Sequence, residues 1–188
     1  MQRASCPKTE QSQIGPSWLT IIVRYVWSDR GIRVSIGIAL GLLAWDVAFT
    51  GSYLLSLVFC PIWFLASLGK NLPQRTGWRL ALLRTAIPAL TLGLAWANEA
   101  VQYRIGNENA LRIIAACEGF HAANGRFPKT LGELVPRHLA SIPRAKYCIV
   151  WGEFVYFNYV KPMLVWCVVP PYGRKIYDFE DRRWSYLD

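Results

Sequence analysis

Three apolar runs occupy residues 34–50, 52–68 and 80–97, and only Thr50-Gly51 separates the first two. A bilayer core about 30 Å thick is crossed by about 20 apolar helical residues. In lipid a helix satisfies its own backbone donors and acceptors, whereas an open strand leaves them exposed. The runs therefore predict three transmembrane helices, the first two joined as a tight hairpin. Apolar residues are 53% of the chain, and the excess lies in this stretch, which argues against a simple soluble domain. Trp78 and Trp96 bracket the third run, and indole rings settle at headgroup level.

The net charge is +9. Up to residue 96 there are nine Lys and Arg against Glu10, Asp29 and Asp46, hence +6; the remainder has twelve against nine, hence +3. Arg24, Arg30 and Arg33 precede the first run. Lys70, Arg75 and Arg79 lie between the second and third, and the Thr50-Gly51 turn carries no charge. Basic loops stay in the cytoplasm. This places residues 1–32 inside as an N-terminal segment, 33–97 in the membrane, and 98–188 outside as a folded domain. Nucleic acid is excluded as a partner, because the basic residues are split by apolar runs and form no continuous stripe. Residues 18–27 read as a short interfacial helix. Residues 1–17 are polar and predict no cleavable signal peptide.

Two ionisable residues fall inside the runs. Asp46 is near the outer end of the first and Arg84 near the inner end of the third. At opposite depths they are not expected to pair. Asp46 is close enough to the interface to be hydrated; an ion or proton role is the alternative reading. Pro61 and Pro88 each remove a helical hydrogen bond and are expected to kink their helices. Five cysteines, Cys6, Cys60, Cys117, Cys148 and Cys167, form no C-x-x-C motif, which argues against a zinc ribbon or redox pair. Cys117, Cys148 and Cys167 fall on the oxidising side. If a disulfide forms, Cys148–Cys167 is the expected pair, since both lie in expected strands. Burial of all three as free thiols is the equal alternative.

Past Ala97, apolar residues recur at helical spacing (Ala110, Ile113, Ile114, Cys117, Phe120) with Glu108, Arg112 and Glu118 between them. This predicts an amphipathic helix that continues the third span to about Ala123 and stops at Asn124-Gly125. Thr130-Leu131-Gly132-Glu133 has the form of a capping box. Residues 147–151, 153–160, 163–169, 174–179 and 183–187 are rich in Val, Tyr, Phe and Trp and are separated by turn residues, so they read as strands. Consecutive strands of this kind predict an antiparallel meander. Ile113, Ile114, Cys117 and Phe120 are expected to pack against Val155, Phe157, Leu164 and Trp166. The fold class is thus an α+β membrane protein.

The residues Gly125-Arg126-Phe127-Pro128, Leu131-Gly132-Glu133-Leu134-Val135-Pro136, Leu139 and Ile142-Pro143 follow an apolar helix that runs into an amphipathic one and precede the meander. This order resembles the type IV pilins and the major pseudopilins of type II secretion, over about residues 80–188. The resemblance implies a pilin-like helix packed on a small sheet, in a protein of the cell envelope. A prepilin leader and its Gly-Phe cleavage site do not precede the third run, and Trp78-Arg79 stands at that junction. The fold is therefore carried over and filament assembly is not. With the charge placement, the expectation is a multi-pass protein of the bacterial inner (cytoplasmic) membrane with a periplasmic C-terminal domain.

No phosphate loop, HExxH or nucleophile elbow occurs in the sequence. Cys117 and His121 share a helix face without a third ligand. No catalysis, cofactor or metal is expected. Two functions of different class remain. One is an envelope interaction module that binds another membrane or envelope protein, or itself as an oligomer. The other is an accessory subunit of a transporter or enzyme complex that acts through its membrane helices. Exposed apolar surface on the sheet favours the first, and a polar groove near Asp46 the second.

Overall fold

The computed structural model describes residues 29–71, 77–170 and 173–187. The expected interfacial helix over 18–27, Cys6 and Arg75 lie outside the described residues. Helix α1, Arg30–Leu43, runs on as a π-helical segment, Ala44–Thr50. Helix α2 is Leu54–Asn71, and α3 is one unbroken helix of 47 residues, Trp78–Asn124, about 70 Å long at 1.5 Å per residue. A 3-10 turn, Leu131–Leu134, precedes four strands: β1 Val155–Asn158, β2 Pro162–Val169, β3 Gly173–Asp178 and β4 Arg183–Leu187. They form an antiparallel sheet in the order β1-β2-β3-β4, the expected meander.

Two helices, Arg30–Thr50 and Trp78–Asn124, are long and apolar enough to cross a membrane by length and composition. Three spans are not supported, because the second, expected over 52–68, falls on α2, which is apolar but shorter. The physical reason is at its start. Gly51 and Ser52 belong to the turn, and the helix begins only at Leu54. The turn is built around Asp46. Its carbonyl accepts from Gly51 N, from Ser52 N at 2.8 Å and from Thr50 Oγ1 at 3.1 Å. Gly51 has φ of +62°, a left-handed conformation that glycine adopts without a Cβ penalty.

Helices α1 and α2 both pack along α3 but touch each other sparingly. Asp29 opens α1 by accepting from Gly31 N and Ile32 N, and its second oxygen takes Arg84 of α3 at 2.7 Å. At the far end α3 closes at Gly125, whose N–H reaches His121 O in a left-handed cap. Glu133 does not close a capping box on Thr130. Its carboxylate accepts from Lys129 N and Arg126 instead.

The core lies between the sheet and the outer half of α3. Ala110, Ile113, Ile114, Cys117 and Phe120 pack on Leu164, Trp166, Tyr177 and Phe179. The inward residues of β1 are one position off the expected ones. Tyr156 faces the core beside Phe179, while Val155 and Phe157 point outward. Phe154-Val155-Tyr156-Phe157 is apolar at every position, so alternation does not select a face; Asn158, two residues after Tyr156, donates its Nδ2 to Pro128 O. The strand expected over 147–151 is not a strand. This segment lies instead on the end of α1, with Ile149 N on Ala48 O and Val150 N on Phe49 O.

Candidate functional site

Beyond Ala97, α3 carries a second stripe that the apolar pattern conceals. Glu99, Gln102, Gly106 and Asn109 follow at helical spacing, and all four are buried. Together they grip the segment Arg144–Tyr147. Asn109 Nδ2 donates to Arg144 O at 2.9 Å, and Tyr147 N donates to Gln102 Oε1 at 2.8 Å. Gly106 lets the chain cross: a Cβ there would stand 2.6 Å from Ala145 O and 2.7 Å from the Trp166 ring.

Lys146 is the centre of this joint. Its side chain is fully buried, and its Nζ donates to Gly51 O at 3.1 Å, Glu99 Oε1 at 3.0 Å and Val168 O at 2.6 Å. An ammonium has three donors, so each finds an acceptor, and the charge has its counter-ion in Glu99. The hairpin turn, the long helix and the sheet are thereby fastened at one atom. Sequence reading misses Lys146. The available signal is a single cation inside an otherwise apolar stretch, Ala145 to Trp151, paired with a polar helix stripe.

Asp46 and Arg84 are kept apart, each with its own partner. Asp46 is fully buried and caps α2, accepting from Leu55 N at 3.2 Å and Ser56 N at 2.8 Å. A carboxylate at a helix N-terminus meets the orphan N–H groups and the positive end of the dipole. Its contacts are those of a structural cap.

Cys60, Cys117, Cys148 and Cys167 are buried free thiols, so the Cys148–Cys167 bridge is not formed in this structure. Cys148 belongs to the loop rather than to a strand, and lies against Gly51. Burial pushes the Cys167 thiol up, with the charges of Lys146 and Arg174 pulling the other way. His121 stacks on Phe127 and His138 meets Phe120 edge-on. Among the described residues no group of three or more His, Cys, Asp or Glu is placed to hold a metal.

Strand β1 and the turn after it expose an apolar cluster. Val155 is 47% and Phe157 44% exposed on the strand, Tyr159 94% and Val160 92% in the turn, and the exposed Ile149 lines a groove with Val155 and Phe157. Strand β1 is an edge of the sheet. Among the described residues no backbone hydrogen bond joins it to any segment other than β2. Comparison with protein-family models, curated proteins and solved structures found no match to this chain.

Proposed function

We propose that this chain is a multi-pass protein of the bacterial inner membrane whose C-terminal, pilin-like domain is a non-catalytic interaction module, facing the periplasm and binding an envelope protein or a second copy. One observation carries this reading: edge strand β1, paired on one side only, with its exposed Val155 and Phe157 and the exposed Tyr159 and Val160 in the turn that follows. Soluble surfaces seldom leave such an apolar cluster uncovered, and an unpaired strand edge is a template for a partner strand. The order of long helix, short turn and antiparallel meander supports the pilin-like part of the reading. The accessory-subunit alternative has less support, since Asp46 is committed to capping α2. A photo-crosslinker at Tyr159 of the full-length protein, activated in native membranes, is expected to capture a protein adduct that Phe157→Glu abolishes. Capture from Trp45 on the helices, with none from Tyr159, would favour the alternative.

A further inference from the structure

Because α1 and α2 pack on α3 and scarcely on each other, a cleft of about 660 Å³ opens between them. Its chemistry is graded along its depth. At one end stand Arg30, at the start of α1, and Lys70, at the end of α2; Arg84 reaches in from α3. Ser35 and Ser67 come next. Deeper still are Ile38 and Trp63, about 10–12 Å along their helices from Arg30 and Lys70. Three cations share this end with the carboxylate of Asp29, which answers only Arg84. The Arg84 guanidinium is not saturated by that contact: its Nε is buried and has no hydrogen-bond partner among the described residues. Gly31 lies alongside it, and a Cβ there would be in ordinary contact with Nη2 at 3.7 Å.

We propose that this cleft is a binding site for one anionic phospholipid, with its phosphate between Arg30, Lys70 and Arg84, its glycerol esters near Ser35 and Ser67, and an acyl chain along Ile38 and Trp63. The proposal rests on the membrane reading above. A basic pocket between helices with apolar walls matches a lipid headgroup and tail together, whereas a free phosphate uses only the mouth. Uncompensated charge selects an anionic headgroup over a zwitterionic one.

The test uses the full chain, extracted from membranes in mild detergent and offered equal phosphatidylglycerol and phosphatidylcholine before native mass spectrometry. Phosphatidylglycerol adducts are expected to dominate. Lys70→Gln, at an exposed position, should weaken that preference about fivefold, and Lys129→Gln with Arg137→Gln, on the distant domain, should leave it unchanged. Equal retention of the two lipids by a chain that does fractionate with membranes overturns the site and leaves the membrane reading intact. Complete displacement of the lipid by millimolar inorganic phosphate assigns the site to a free anion and also overturns it. A chain found wholly in the soluble fraction overturns both readings.

Discussion

At the scale of single residues, the molecule depends on buried polar atoms more than its apolar composition implies. Removing one partner of a buried ion pair costs about 3–5 kcal/mol, because the other charge is left uncompensated. Glu99→Ala is therefore expected to destabilise the protein by about that much, measured as a shift of the thermal midpoint in detergent. Glu99→Leu combined with Lys146→Met should recover only part of the loss: no unpaired charge stays buried, but the carbonyls of Gly51 and Val168 lose their donor. Gly106→Ala tests a different force. The added methyl meets a backbone carbonyl and an indole ring at under 3 Å, and neither is a flexible side-chain end. A loss of about 1–3 kcal/mol is expected, with Gly119→Ala, where a Cβ has ordinary clearance at 3.5 Å, as the milder comparison.

At the scale of elements, the sequence is readable where one period dominates. Hydropathy alone locates α1 and the apolar first half of α3. The 3.6-residue stripe from Ala110 to Phe120 marks the outer half, and Asn124-Gly125 marks its end. Strands β2, β3 and β4 follow from composition and turn residues. What stays hidden depends on partners far along the chain. Tyr147 to Trp151 has the composition of a strand but spends the N–H groups of Ile149 and Val150 on α1. The carboxylate of Asp46 reaches residues nine and ten positions away, and Lys146 reaches 47 and 95 positions back; no local pattern encodes such pairings. The turn after β3 offers a pH test. Asp178 Oδ1 accepts from Asp181 N at 3.1 Å and Glu180 N at 2.8 Å. The bond from Asp181 first, against partial burial and then with the Glu180 bond and the charges of Lys161 and Arg183, holds its carboxyl below the usual range. A lowered folded-state value means that the contribution is present above the unfolded carboxylate value and is lost as pH falls through the folded one. Asp178→Asn is expected to flatten the acid limb of the stability curve between those two values and to leave the slope near pH 7 unchanged, as followed by melts across pH.

At the scale of the whole molecule, α3 is the common spine. Its first half holds α1 and α2, and its second half carries the sheet. The hairpin turn and the sheet meet at Lys146, while Arg30, Lys70 and Arg84 gather at the opposite end. Basic residues favour the cytoplasmic side, so a reporter active only in the periplasm and fused after Asp188 should be active. Activity of a cytoplasmic reporter at the same position would reverse the assigned orientation. The clasp on Gly51 also has a consequence in time. Its donor is made 95 residues after its acceptor, and at about 5–20 residues per second the ribosome needs roughly 5–20 s to supply it. A newborn hairpin therefore waits for seconds without this clasp, and any chain interrupted before Lys146 leaves the ribosome with the turn between α1 and α2 held only by its local bonds to Asp46.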